Sequence, residues 1–204
     1  NQLASIAISL LHSYRNPDSE RNLRTLLLRE DSSLAITLSS EVLPEAREQE
    51  RTIQTCLPAA LQTLFAAHFK NVTYFTSGQN ICDSPLIMQS SGGLQNVPAV
   101  RARPLTTVLS GPSATAVGMA LSPLSQDFSD VLMFDMGGTS TDVSLIRNGN
   151  PFMTTRGHIG HYPIKTPMID VISIGAGGGS IAQVGPGNRW HVGPISAGSE
   201  PGPA

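Results

Sequence analysis

The sequence predicts an α/β protein, on three observations. Helical and strand-like patterns alternate through the first 121 residues. From Val131 onward the texture changes to short apolar runs punctuated by glycine. With 40% of its 204 residues hydrophobic the chain can bury a sizeable core, and 19 glycines and 15 prolines point to many tight turns.

The elements follow in order. Ser5–Tyr14, SIAISLLHSY, is apolar enough for a buried strand or a helix, and its pattern does not choose between them. Asn16–Glu30 predicts a helix: Asn16 can cap, Pro17 suits the first helical position, and Leu23, Leu26 and Leu27 fall on one face. Leu34–Ser40 reads as a short strand ending in a polar turn. Apolar residues at 53, 57, 61, 64, 65 and 69 predict a helix over Arg51–Phe69. The charge run Glu45–Arg51 reads as its solvated face with i,i+4 pairs. VTYF (Val72–Phe75) and PLIMQS (Pro85–Ser90) read as strands, the second running into Ser91–Gly93. TVL (Thr107–Leu109) is a strand or connector that Gly111-Pro112 breaks. SATAVGMAL is then a small-residue helix with Ala114, Val117, Gly118 and Leu121 on one face. Ser122–Asp130 is polar, proline-containing and aperiodic, hence a connection. After it come strands at VLMF, DVSLI, PFMTT, VISI, SIAQV and RWHVG.

Composition narrows the partners. The net charge is −2 with 14% charged residues and no basic stripe, which argues against nucleic acid. No apolar run approaches the roughly 20 residues of a membrane helix, and the amino end lacks a basic leader and a cleavage site. Cys56 and Cys82 lack metal-ligand spacing and read as reduced structural thiols of a cytoplasmic protein.

Chemistry concentrates in FDMGGTSTDVSLI, Phe134–Ile146. Val131–Phe134 is continuously apolar, as in a strand buried on both faces, and a second apolar run follows the turn. Gly137 and Gly138 can take positive φ, so successive amides can form an anion-binding concavity. Thr139, Ser140 and Thr141 add hydroxyls. Asp135, at the strand's carboxyl end, is placed to hold hydrated Mg²⁺ against phosphate oxygens, and Asp142 is a weaker candidate with a capping alternative. The competing reading is an ordinary glycine-rich hairpin. The loop is neither a Walker A sequence nor a dinucleotide fingerprint, because no Gly-Lys-Ser/Thr follows and a strand succeeds it.

These residues resemble the second phosphate loop of the actin, Hsp70 and sugar-kinase superfamily. Within it the chain is similar to the hydantoinase A / 5-oxoprolinase / acetone carboxylase family. Six segments carry the resemblance in order: TLSSEVLPEAREQERT, PLIMQSSGGL, LSGPSATAVG, FDMGGTSTDVSLI, PMIDVISIGAGGGSIAQV and VGPISAGSEPGPA. The resemblance implies an actin-like ATPase (ribonuclease H-like) fold in part. Residues 1–121 would be the end of a first lobe with its connecting helix, 122–130 the connection, and 131–204 the β-rich opening of a second lobe. It implies ATP and Mg²⁺ as cofactors and a cyclic amide or related carbonyl substrate, activated by phosphorylation for ring opening or carboxylation. A second, hydantoinase B-type subunit or domain and an oligomeric assembly are implied as well. The family's first Asp-Gly-Gly-Thr loop is not found upstream of Val131, so the chain reads as the middle of a larger polypeptide or a truncated copy, inactive alone. A non-catalytic assembly module and a sugar-kinase-like phosphotransferase are the alternatives.

Other segments leave choices open. GAGGGS (Gly175–Ser180), with Gly177 and Gly178, is a tight strand connection or a backbone contact with a ligand or subunit; SIAQV-GPGN-RWHVG after it reads as a hairpin. Asp170, heading the DVISI strand, is a catalytic or water-positioning carboxylate or a turn aspartate. His158 and His161 lie in a glycine-rich, non-helical context that suits a loop better than a metal. Trp190 reads as a packing residue.

Overall fold

The computed structural model describes residues 5–79, 81, 84–122, 127–198, 200 and 202–203. Cys82 and part of the expected connection at 122–130 lie outside the described residues. The chain divides into two compact units that interleave along the sequence. One comprises residues 1–89, 93–108 and 155–167; the other comprises 90–92, 109–154 and 168–204.

In the first unit Ser5–Ile8 forms strand β1, which pairs in parallel with β2 (Ala35–Leu38) across helix α1 (Asp18–Glu30). Asn16 does not cap α1: its Oδ1 accepts the Asp18 amide at 3.0 Å, but Pro17 occupies the N-cap position instead of the first helical one and no side chain caps the helix. Of the expected leucine face Leu23 and Leu26 are exposed and Leu27 is half-buried, and the buried side chain of α1 is Glu20. A short helix α2 (Ser39–Val42) follows β2 directly.

Helix α3 spans Glu48–Gly78 and packs over β1 and β2. It carries Val72–Phe75, which were expected to form a strand. Each β-branched or aromatic residue costs a helix only some tenths of a kcal/mol, and propagating a formed helix is far easier than starting one. Phe69 of α3 packs with Val97 and Val100, flanked by Phe65 and Ile87. Ile87 lies on β3 (Leu86–Met88), which hairpins onto β4 (Leu94–Asn96); Val97 and Val100 lie on α4 (Val97–Ala102), capped by Asn96. Thr107–Leu109 is not a strand: a 3₁₀ turn, Pro104–Thr107, occupies its start. A later hairpin, Gly157–Ile159 with Tyr162–Ile164, joins this unit and carries exposed His158 and half-buried Pro163 as cross-strand partners.

A buried polar cluster ties the unit together. Glu20, with no exposed surface, accepts the Leu10 amide at 2.9 Å, the Ser39 hydroxyl at 2.6 Å and the Ser40 amide at 2.9 Å. Burial alone would raise its pKa and is the largest single influence, but the Ser39, Leu10 and Ser40 hydrogen bonds together overcome it and lower the value from 4.5 to about 2. Arg51, expected on a solvated face, is also fully buried. Its Nη2 donates to the Leu10 carbonyl at 2.6 Å and its guanidinium lies 5.5 Å from the Tyr14 ring centroid. The Leu10 peptide is thus held by a carboxylate at its N–H and a guanidinium at its C=O. Of the rest of the run, Glu45, Arg47 and Gln49 are exposed while Glu48 and Glu50 are half-buried; in place of the expected i,i+4 pairs, Arg47 pairs with Glu50 at i,i+3 and Lys165 bridges Glu45 and Glu50.

In the second unit helix α5 spans Ser110–Leu121, starting before the expected break because Gly111 and Pro112 fit its first turn. Its buried residues are Ser113 and Ala116, so the covered face is rotated from the expected Ala114–Leu121 stripe. Strands β5 (Val131–Met136) and β6 (Thr141–Arg147) form an antiparallel hairpin. The Asn148-Gly149 turn, both residues at positive φ, returns the chain to β7 (Asn150–Pro151). β8 (Met153–Thr154) precedes the 157–164 hairpin, whose strands are β9 and β10, and pairs with β11 (Met168–Ile169). β12 (Val171–Ile174) pairs with β6, giving the sheet order β12-β6-β5 with β7 beside β6. β13 (Ser180–Gly185) and β14 (Arg189–Ser196) form the expected hairpin, turning at Gly187 and Asn188.

One face of this sheet is covered: Met133 packs with Ala116 and Ile169, flanked by Val117 and Val171. The other face is open. Leu132 is 68% and Phe134 61% exposed, so β5 is not buried on both faces, and among the described residues it is an edge strand. Trp190 on β14 is likewise exposed rather than packed.

Candidate functional site

The site is built at one end of the β12-β6-β5 sheet. The register sets Asp135 opposite Asp142, and Asp142 opposite Ser173. Directly opposed residues point to the same face, so two carboxylates and a hydroxyl form a row on the α5 side. Thr115 of α5 donates to Asp135 Oδ2 at 3.2 Å. The Ser173 hydroxyl donates to Asp142 Oδ1.

The turn between β5 and β6 differs in one respect from expectation: neither Gly137 nor Gly138 adopts positive φ. The Gly137 amide is committed to the Ser140 carbonyl at 2.9 Å. The amides of Gly138, Thr139 and Ser140 donate to no main-chain carbonyl among the described residues. The Thr139 and Ser140 hydroxyls have no partner there either. Thr141 is different, its hydroxyl being spent on the Ala176 carbonyl at 2.6 Å.

What fixes the turn is the second glycine segment. The Gly178 amide donates to the Gly137 carbonyl at 2.9 Å and the Gly179 amide to the Gly138 carbonyl at 2.7 Å. The Gly177 amide caps onto Ser180 Oγ at 2.8 Å. Gly177 and Gly178, expected to bind cofactor, therefore have their amides engaged within the protein; they buttress the 137–140 turn. The fit needs glycine: a Cβ on Gly177 would stand 2.6 Å from the Gly137 oxygen and 2.8 Å from the Ser140 nitrogen. Behind it, the Ala197 amide and the Ser196 hydroxyl both donate to the Gly179 carbonyl, at 2.8 and 3.1 Å.

The two clamping hydrogen bonds turn the Gly137 and Gly138 carbonyls toward 178–179, which leaves the following amides on the other side of the turn. Gly137 and Gly138 themselves have no internal need to be glycine. A Cβ on Gly138 meets nothing within 4 Å, and one on Gly137 makes only an ordinary contact at 3.5 Å. Neither left-handed backbone nor crowding within the described residues requires glycine at these two positions.

Asp170 is not brought to this cluster. It stands at the opposite end of β12, three residues and about 10 Å along the strand from Ser173. Its main chain is engaged on both sides, with the amide donating to Phe152 O and the carbonyl accepting from Ser144 Oγ. His158 and His161 lie in the other unit, and no group of metal-ligating side chains occurs among the described residues. Reading the sequence missed Thr115, Ser173 and Gly179. Thr115 lies in the quoted LSGPSATAVG segment and Gly179 in GAGGGS, so the segments carried the signal and the individual roles did not.

The model of the Hydantoinase/oxoprolinase family matches residues 51–204, which include every residue of this site. The chain belongs to the hydantoinase/oxoprolinase family. Among its relatives, an uncharacterised protein of Methanocaldococcus jannaschii is 37% identical over 97% of this chain and 31% of its own length. The caprolactamase subunit alpha of Pseudomonas jessenii is 33% identical over 99% of this chain and 29% of its own. The crystal structure of the ATP-dependent caprolactamase from that organism superposes with a TM-score of 0.77, at 31% identity and over 99% of this chain and 29% of that one. A nucleotide-free acetone carboxylase, from work titled for ATP-dependent acetone carboxylation, superposes at 0.75 with 28% identity over 95% of this chain and 28% of that one. The hydantoinase/oxoprolinase chain described here thus spans about a third or less of the relatives it matches. Among its described residues, no helix is long and apolar enough to cross a membrane.

Proposed function

We propose that this chain carries the second phosphate loop of an ATP- and Mg²⁺-dependent enzyme that activates a cyclic amide or related carbonyl compound. One observation carries the reading: the amides of Gly138, Thr139 and Ser140 are free of internal acceptors beside two glycines that the fold itself does not require. Such a row of amides suits polyphosphate oxygens. Thr139 and Ser140 add hydroxyl donors. Asp135, half-buried at the strand end and positioned by Thr115, suits a hydrated Mg²⁺, with Asp142 beside it. The residues present therefore fit the group. Bound there, the nucleotide would supply a phosphoryl group that turns a poor carbonyl electrophile into a reactive one.

This chain's own residues then have three tasks. The turn amides and hydroxyls orient and neutralise phosphate. Asp135 holds the metal's water shell. Gly177–Gly179 keep the turn from collapsing. Names among the relatives support the substrate class, since one is a caprolactamase and another carboxylates acetone, both ATP-dependent by title. In the proposed actin-like partition residues 1–121 close a first lobe and 131–204 open a second, with the exceptions that 90–92 and 109–121 group with the second compact unit and 155–167 with the first; a hydantoinase B-type partner completes the enzyme. The subunit designation of the Pseudomonas jessenii relative supports such a partner.

The test is calorimetric titration of the full-length protein with Mg-ATP, repeated with Asp135→Ala, followed by turnover with lactams, hydantoins and sugars. Binding lost in the variant, with turnover stimulated by lactams or hydantoins, supports the proposal. Full-length protein that binds no nucleotide would leave an assembly module, and stimulation by sugars alone would indicate a sugar-kinase-like enzyme.

A further inference from the structure

The first unit carries a groove of about 380 Å³ between α3 and α4 that the phosphate site does not use. That volume falls within the range of about 300–1,000 Å³ typical of small-molecule sites. Its polar lining is of one kind. Lys70 and Thr73 of α3, Arg101 of α4 and Ser84 before β3 line it, and each can donate hydrogen bonds. No carboxylate lines it among the described residues. All four side chains are exposed or half-buried, so a ligand can reach them.

Charge sets the class. Among the described residues neither Lys70 nor Arg101 forms an ion pair, whereas Arg24, Arg47 and Lys165 of the same unit are each paired with a carboxylate. Two unpaired cations on one groove repel each other and attract an anion of matching charge. Position sets the shape. Lys70 follows Phe69 on α3, Arg101 follows Val100 on α4, and Phe69, Val97 and Val100 pack into one cluster. The cations therefore stand on two helices that meet at an apolar seam, and Val97 and Pro85 add apolar lining to the groove. An anion with charge at both ends and carbon between them matches this lining. A compact oxyanion would leave the apolar part bare.

We propose that this groove binds a small aliphatic dicarboxylate. One carboxylate meets the Lys70 ammonium and the other the Arg101 guanidinium, whose fork suits a carboxylate. Thr73 and Ser84 add hydroxyl donors, and the methylenes meet Val97 and Pro85. The proposal is independent of the phosphate-loop reading and needs no nucleotide or metal.

The test is isothermal titration of the full-length protein with succinate, without nucleotide or Mg²⁺, against butyrate and inorganic phosphate. Succinate is expected to bind saturably and about tenfold or more tighter than either control, because butyrate forfeits one charge-assisted contact and phosphate the apolar one. Lys70→Gln and Arg101→Gln should each weaken succinate binding about fivefold or more. Both variants should melt as the parent does, since neither cation has a carboxylate to lose. A folded parent that binds no succinate overturns the proposal. So does affinity matched by butyrate or by phosphate, or affinity unchanged in both variants.

Discussion

Replacing Gly177 with alanine tests the buttress directly. The new Cβ would lie 2.6 Å from the Gly137 oxygen, 2.8 Å from the Ser140 nitrogen and 2.9 Å from the Gly138 carbonyl carbon. All three are main-chain atoms, so no side chain can swing away, and the turn must retreat by roughly half an ångström or more to reach ordinary contact. That retreat works against the Gly178–Gly137 and Gly179–Gly138 hydrogen bonds. Overpacking costs about 1–3 kcal/mol and each strained hydrogen bond up to about 1 kcal/mol. The lower entropy of an unfolded alanine returns about 0.5 kcal/mol. A local destabilisation of about 2–3 kcal/mol follows, which opens the 175–180 and 137–141 segments about 30- to 150-fold more often. Hydrogen exchange followed by mass spectrometry on the full-length protein reads this. Gly178→Ala is the matched control, because its Cβ meets only the Gly137 oxygen, at 3.8 Å. Exchange unchanged in Gly177→Ala, or raised equally in both variants, would refute the steric argument.

Gly138→Ala should separate folding from function: its Cβ meets nothing, so stability holds or rises by about 0.4–1 kcal/mol, while calorimetric Mg-ATP affinity falls at least tenfold. Asp135→Asn keeps an acceptor for Thr115 and should melt as the parent does, yet lose about 100-fold or more of Mg²⁺-dependent ATP turnover in a coupled assay. Glu20 has a folded pKa of about 2 against an ordinary 4.5, so its stabilisation is present above pH 4.5 and disappears as pH falls toward 2. That contribution is about 2–3 kcal/mol after allowance for screening. Denaturant curves of Glu20→Gln and the parent should therefore draw together as pH falls from 4.5 toward 2, and curves that stay parallel would contradict the assignment.

The sequence carried the alternation of elements well, and it carried the site at the level of segments. Helix α1, the hairpin of β5 and β6, and the β13–β14 turn were legible because turn residues and apolar runs act locally. Val72–Phe75 misled because strand propensity is worth less than continuing a helix already 24 residues long at that point. Arg51 misled because a charge pattern cannot reveal that a guanidinium has a distant carbonyl, Leu10, to satisfy it. Val131–Phe134 is apolar in both parities, yet the described residues supply a cover, α5, for one face alone. Asp170 and Asp135 look equivalent in sequence, each an aspartate beside an apolar strand. Only register shows that β6 lies between their strands and that they sit at opposite ends of the sheet.

The glycines hold the most information, because three physical causes place them. Gly149 and Gly187 have φ of +73° and +72°, and the turns they make explain them fully. Gly177 and Gly193 are explained by crowding: a Cβ on Gly193 would stand 2.0 Å from the Gly175 oxygen, on a residue already at φ +71°. Gly137 and Gly138 satisfy neither condition, although sequence reading assigns them the first. A fold indifferent to a methyl group at two successive positions gives no reason within itself for both to be glycine. In the proposed reading the reason acts from outside the polypeptide, at the side of the turn where the Gly138 and Thr139 amides donate to no main-chain carbonyl among the described residues. The proposed phosphate reading and an ordinary glycine hairpin differ here in what they predict. A hairpin glycine shows its need in its own backbone angle; a ligand-facing glycine shows it when a methyl group is added and the fold survives while binding fails.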